Sequence, residues 1–279
     1  MPSTRKVVLY GAHGQRRTLV CDDTGPLQLR PDNGLWGVAP VAITSRQVLG
    51  AAGEAIETVR TQPRSFAVPV LAQGSTEQAV DEVLGSLGSI LDPNRDVRIV
   101  YSRPDGSARE ITARYQSGGE SLAVKSSHHN AVVVPLVFKA FYPFWRSADG
   151  VRVYSETMRD AGYADLNAVN ITNAGDVDVW PEITINGYAE NVECTSLNTG
   201  QVFRCRWILT EGETLRVDTD PRRFGVYLNE AQGYSTAMDP FSEFWPLQPG
   251  LNRLIIRGIT FQRPGGRLTV RWREEWETV

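Results

Sequence analysis

The chain has 279 residues, of which 41% are hydrophobic and 22% charged. That length suits about two domains of ordinary size, each able to bury a core without disulfides or metals. A net charge of −3 gives no basic footprint of the kind a duplex-binding protein carries, and no apolar run approaches the ~20 residues of a membrane span. Cys21, Cys194 and Cys205 fit no zinc spacing and read as free thiols, although Cys194 and Cys205 are also spaced to face each other across a hairpin.

The N-terminus, Met1 to Lys6, runs into a short strand and not into a signal-peptide apolar region. Folding in a reducing cytosol is therefore expected. Lys6–Tyr10 and Arg17–Cys21 read as strands around the Gly11–Gly14 turn. A long polar loop, Asp22 to Pro40, follows; loops of that length inside a compact domain are usually functional or assembly elements. Thr58–Thr61 and Ser65–Leu71 are strand candidates, and Pro69 argues that the second is an edge or bulged strand. One helix is predicted over 76–91. Ser75 is its expected N-cap, Val80, Val83, Leu84, Leu87, Ile90 and Leu91 share one face, and Pro93 stops it.

Next comes a hairpin, Val97–Ser102 and Arg109–Tyr115, around Pro104-Asp105-Gly106. Gly118–His129 reads as a polar loop and Ala131–Ala140 as an apolar strand that ends in Phe141-Tyr142-Pro143-Phe144-Trp145. The domain boundary is placed just beyond, giving a β-rich N-terminal domain over 1–147 and a second domain over 148–279. The second domain reads as all-β. Its strand candidates are Ala168–Asn173, Glu182–Asn186, Asn191–Ser196, Val202–Leu209, Thr214–Asp218, Phe224–Leu228, Asn252–Gly258 and Arg267–Glu274, with Gly-containing turns between them. That rhythm points to a β-sandwich or jelly roll.

Candidate chemistry is sparse. Asp218-Thr219-Asp220 imitates a metal–nucleotide motif, but no nucleotide fold surrounds it, so it reads as a strand end entering a turn at Pro221. His13, His128 and His129 lack partners at ligand spacing. Asp239 and Glu243 are two carboxylates with no sign of a cleft between them. No serine-hydrolase elbow or phosphate-binding loop occurs. The expectation is no catalytic residue, no cofactor and no metal. Trp180, Trp207, Trp245, Trp272 and Trp276 are read mostly as core, and Tyr188 and Tyr234, in loops, as the aromatics freest to touch a glycan.

The most distinctive stretch is Ser242 to Leu254. Phe244 and Trp245 precede a turn at Pro249 and Gly250, and Asn252 opens the strand that leaves it. It reads as a corner whose aromatics anchor in a core while Pro249 and Gly250 fix the backbone. With several other stretches, in order, it resembles the distal tail protein family of long-tailed bacteriophages. These are Gly37-Val38-Ala39-Pro40, the Arg64–Val70 strand, the Glu77–Leu91 helix with Asp92-Pro93, and Asp105-Gly106 before Arg109-Glu110-Ile111. Further along are Phe138–Trp145, Asn173-Ala174-Gly175-Asp176 with Trp180-Pro181, and Gly212 to Thr219. Phe141-Tyr142 departs from the family's acidic lead-in.

The resemblance implies a mainly β protein: an N-terminal barrel- or sandwich-like domain with one helix, and a C-terminal galectin-like β-sandwich. It implies a homohexameric ring at the end of the tail tube, acting as the baseplate hub for tail-tip, tail-associated and receptor-binding proteins. DNA would pass through the opening without being read, and no membrane insertion is implied. The place would be the virion tail tip, after assembly in the bacterial host cytoplasm. Two alternatives stand beside this: a carbohydrate-binding module for host cell-wall glycan, and the equivalent hub of a phage-tail-like particle.

Overall fold

The computed structural model describes residues 5–21, 25–31, 34–120, 130–157, 166–232, 238–258 and 266–279. The chain divides into two compact units: Met1–Asp149 with Trp276–Val279, and Gly150–Glu275.

The first unit contains β1 (Lys6–Tyr10), β2 (Arg16–Val20), β3 (Leu27–Leu29), β4 (Val41–Gln47), β5 (Glu54–Thr61), β6 (Arg64–Gln73), α1 (Glu77–Gly88), β7 (Asp96–Ser102), β8 (Ala108–Ser117), β9 (Ala131–Ala140) and β10 (Trp145–Ser147). The ladder β8-β7-β1-β2-β3-β6-β9 closes on itself because β9 pairs back onto β8, so the sheet is a barrel without free edges along that circuit. Its core includes Leu9, Leu19, Val68, Ile99, Leu136, Phe138 and Trp145, and the helix adds Val80, Leu84 and Leu87 from its apolar face.

Three details depart from the sequence reading. The helix is capped by Thr76, not Ser75, because Glu77 is the first helical residue and the Thr76 hydroxyl accepts from Ala79 N at 3.2 Å. It stops at Gly88, where the N–H groups of Ile90 and Leu91 turn back to Leu87 and Gly88 in a tightened last turn. The strand with Pro69 is interior, between β3 and β9, and not an edge. Pro69 faces Pro135 in register, so both missing donors fall at one cross-strand position.

The last residues of the chain complete this unit. Val279 is 4% exposed and part of its core. Arg64, itself buried, donates to the carbonyls of Leu35 (3.1 Å), Pro143 (3.4 Å) and Glu277 (3.0 Å), with its guanidinium against Phe66 and Trp145. Burial draws its pKa below the ordinary value, and the nearby Glu277 charge opposes this. Arg109 lies 4.0 Å over the Trp276 ring and donates to the Thr278 carbonyl. Two arginines thus hold the tail by its backbone oxygens, which any residue presents.

The second unit contains β11 (Arg152–Thr157), β12 (Leu166–Asn173), β13 (Glu182–Asn186), β14 (Ala189–Ser196), β15 (Val202–Leu209), β16 (Thr214–Asp218), β17 (Gly225–Leu228), β18 (Ala231–Gln232), β19 (Gly250–Arg257) and β20 (Arg267–Trp272), and the chain returns to the first unit through β21 (Glu275–Trp276). β21 extends the first unit's sheet beyond β10. The others form two sheets, β11-β20-β13-β16-β17-β18 and β12-β19-β14-β15. One core lies between them, with Ile183, Ile185, Leu215, Val217, Leu268 and Val270 from the larger sheet and Ile171, Val192, Phe203, Leu254 and Ile256 from the smaller. This is a β-sandwich with period-two burial. Cys194 and Cys205 are both free and buried in that core, Cys194 lying opposite Phe203 and not opposite Cys205. Burial pushes the Cys194 thiol up to about 12. Trp207 corrects the sequence reading. It is 36% exposed, on the edge strand β15, where Arg206, Trp207 and Ile208 all face outward and the alternation breaks.

Candidate assembly surfaces

The corner sits in the second unit. Trp245 is 2% exposed and its indole lies in the sandwich core, while Phe244 is half-buried and meets Phe224 (4.8 Å) and Phe203 (5.8 Å) with tilted rings. Leu247 exchanges both backbone hydrogen bonds with Val179. Gly250 has φ +90, a conformation that side chains with a Cβ resist. The buried Asn252 side chain locks the turn: its Oδ1 accepts from Gln248 N at 2.9 Å, and its Nδ2 donates to the carbonyls of Gln248 (2.7 Å) and Gly250 (3.2 Å). Asn173 does the same for the facing loop, donating to Val177 O and Leu247 O and accepting from Gly175 N. Gly175 is required by proximity, since a Cβ there meets Glu275 O at 2.2 Å. The turn uses its polar atoms internally, while the buried Trp245 indole N–H finds no hydrogen-bond partner among the described residues.

The acidic candidates are likewise consumed by structure. Asp220 is buried; its carboxylate takes the backbone N–H and the guanidinium of Arg222. Burial alone pushes its pKa up, and the Arg222 contacts outweigh this and leave it below the ordinary value. Asp239 accepts from Phe241 N at 2.8 Å and pairs with Arg206, which together hold its pKa low, and Glu243 beside it is exposed. No group of three His, Cys, Asp or Glu that could hold a metal occurs among the described residues. No helix among them is long and apolar enough to cross a membrane. Tyr188 is half-buried in the turn between β13 and β14; Tyr234, His128 and His129 lie outside the described residues.

What the sequence reading missed is the β4–β5 hairpin. It is a separate two-stranded sheet that pairs with no other described strand. Val41 faces Thr61, Ile43 faces Val59 and Ser45 faces Ile56, so Val41, Ile43, Ile56 and Val59 share one face. These are 52%, 61%, 67% and 62% exposed, and Leu49 at the tip is fully exposed. The opposite face carries Ala42, Thr44, Thr58 and Arg60, with an ion pair between Arg46 and Glu57 at 3.4 Å. An isolated two-stranded hairpin is marginal in water, and an apolar stripe of this kind marks an interaction site. The hints in the sequence are the alternation Val41-x-Ile43 and the strand candidate Thr58–Thr61; in β5 the extra residue Glu57 hides the alternation by setting Ile56 and Val59 three apart.

Residues 174–276 match the family profile described as siphovirus-type tail component, C-terminal domain. Among solved structures, the chain is similar to the Dit (gp 19.1) protein of phage SPP1, described as a paradigm of the hub adsorption apparatus in phages infecting Gram-positive bacteria. The TM-score is 0.68 at 17% identity, over 98% of this chain and 99% of that one. The likeness therefore shows a shared fold that spans the barrel as well as the tail-component domain. A chain from the phage P2 baseplate aligns over 99% of this chain and 100% of its own at 9% identity, with a TM-score of 0.43, too low to carry an argument. No curated protein sequence matches. The Asn173–Asp176 loop, the Asp218 strand end and the corner all belong to the tail-component domain, where the geometry gives each a structural task.

Proposed function

We propose that this protein is a distal tail protein: a structural virion component that forms a hexameric ring at the end of a phage tail tube and serves as hub for tail-tip and receptor-binding proteins. The observation that carries the reading is the tail-component domain in residues 174–276. The fold shared with the SPP1 hub protein along the whole chain supports it. The number of copies comes from the family resemblance.

The hairpin supplies a physical means of self-assembly. Its apolar face and its unpaired strand edges are finished by neighbours, and a ring closed by rotation joins two different patches on each copy. The opening passes DNA without reading it, so its wall avoids clustered arginine, which would hold the phosphates. Residues 276–279 fall in the same compact unit as the barrel, so assembly is tested on the full chain.

The test is multi-angle light scattering and negative-stain imaging of the full-length protein across a concentration series. Rings of a single size are expected. A monomer at every concentration that binds cell-wall glycan would overturn the hub reading in favour of a sugar-binding module. Rings with a contractile sheath around them in the assembled particle would move the protein to a phage-tail-like device.

A further inference from the structure

A bare strand edge is a template for another chain, so proteins shorten, bulge or cover their edges. Three of the four end strands in the second unit are managed in this way. β18 has only two residues. β12 is bulged between Leu166 and Val169, and its outward residues Asn170 and Thr172 are polar. β15 is covered by its own chain: Met238 bridges to Cys205, Asp239 N donates to Arg204 O at 3.0 Å, and Glu243 N donates to Val202 O at 2.9 Å. The fourth, β11, has none of these protections among the described residues. It ends the six-stranded sheet and stays in register with β20 at every position from Arg152 to Thr157. Val153, and Val151 just before the strand, stand outward and are 56% exposed each.

We propose that β11 of one copy receives the β4–β5 hairpin of the next, with β4 pairing along β11 as an added strand and Val41 and Ile43 on the side of Val151 and Val153. This rests on the hub reading and names the surface that the hairpin takes. The hairpin and β11 belong to different units of the chain, so joining them is the head-to-tail contact between unlike patches that a closed ring needs. Their lengths agree, seven residues in β4 and six in β11. Their regularity agrees too. The extra residue of the hairpin, Glu57, lies in β5, so β4 is the strand that can follow an unbulged edge. β5 then ends the enlarged sheet with a bulge, which is how outer strands are commonly protected. Exposed β-branched residues at a period of two lie on both sides of the join. In strand addition the main-chain bonds supply affinity and the alternate side chains supply register and specificity. A hairpin that is marginal alone gains a sheet to belong to.

The experiment is light scattering on the full-length protein across a concentration series. A variant with Val151→Glu and Val153→Glu is expected to stay monomeric to concentrations at least about tenfold above those at which the parent forms rings. Its melting temperature at dilution is expected to match the parent, because both side chains are exposed. If it melts lower, Val151→Ser with Val153→Ser takes its place. The deciding arm mixes the β11 variant in equal amounts with a hairpin variant carrying Ile43→Ser and Ile56→Ser. Each keeps one sound patch, so the mixture is expected to give dimers and nothing larger, while each variant alone is monomeric. Rings from the β11 variant at the parent's concentration overturn the proposal and leave the hub reading standing. So does a mixture that stays monomeric, or one that forms full rings. A parent that is monomeric at every concentration overturns both.

Discussion

The Phe244–Asn252 corner and the β4–β5 hairpin use similar residues in opposite ways. In the corner, aromatics face inward, Asn252 takes up the turn's own backbone groups, and Leu247 is bridged to Val179. Little is left for another molecule to satisfy. In the hairpin, Val41, Ile43, Ile56 and Val59 line up on one face and are each more than half exposed. One region is finished within a single chain; the other pairs with no other described strand. On the reading proposed above, the corner serves the fold of the subunit and the hairpin its assembly.

The sharpest test of the corner is Trp245→Ala. Truncating an aromatic that is 2% exposed leaves a cavity in the sandwich core, and the expected cost is about 3–5 kcal/mol in denaturant unfolding. If the variant unfolds at the same midpoint as the parent and loses only a partner, Trp245 is a contact residue and the contrast with the hairpin collapses. Asn252→Ala comes next. It strips the turn of three hydrogen bonds at a buried position, with an expected loss of about 1–3 kcal/mol. Gly250 keeps its left-handed backbone in either case, so a loss near zero would show that the glycine alone sets the turn.

Acid separates the two regions more gently. Asp220 in the second unit has a pKa below its ordinary value when folded. A depressed carboxylate contributes stability above its unfolded pKa, and that contribution is lost as pH falls through the folded value. The window therefore lies below about pH 4. Arg222 and Arg223 are 45% and 67% exposed at their side chains, so solvent screens the pairs and the effect is about 1 kcal/mol or less. Melting followed from pH 5 to pH 2 should show Asp220→Asn losing less stability than the parent over that window. Parallel curves would remove the carboxylate from the account.

How much of this was legible in the sequence follows from the same contrast. β9 is legible at its full length as an apolar run, and β13, β15 and β16 are legible because apolar and polar residues alternate along much of each. β15 also shows the limit, since alternation placed Trp207 inward while the sheet edge leaves it exposed. Pro69 was misread because a proline's meaning depends on the strand opposite, and Pro135 stands sixty-six positions along the chain from it. The corner's aromatics and turn were legible as a motif; the three hydrogen bonds of Asn252 were not, since they need the folded turn. The hairpin was hidden for a physical reason. The extra residue Glu57, opposite Thr44 and Ser45, breaks the period of two in β5 and sets Ile56 and Val59 three apart, and no other described strand pairs with the hairpin.

The hairpin prediction has the smallest effect on stability and the largest on assembly. Ile43→Ser with Ile56→Ser removes two exposed apolar side chains from one face while the strands keep their register. Nothing in the subunit's two cores contacts them as a buried member. Surface substitutions of this kind shift unfolding by about 0.5 kcal/mol or less. The melting temperature at dilution, where the protein is monomeric, should therefore match the parent. Assembly should not survive, because the same two residues would be buried between copies, and each lost side chain forfeits roughly 1.5–3 kcal/mol of burial at every interface in the ring. Light scattering at the concentration where the parent forms rings is the measurement. Glu57→Gln, on the opposite face, serves as the control: it removes the exposed ion pair with Arg46 and should leave both melting and ring size alone. Rings that persist in the double serine variant would mean that another surface joins the copies, and that the apolar face of the hairpin is covered by a different tail protein.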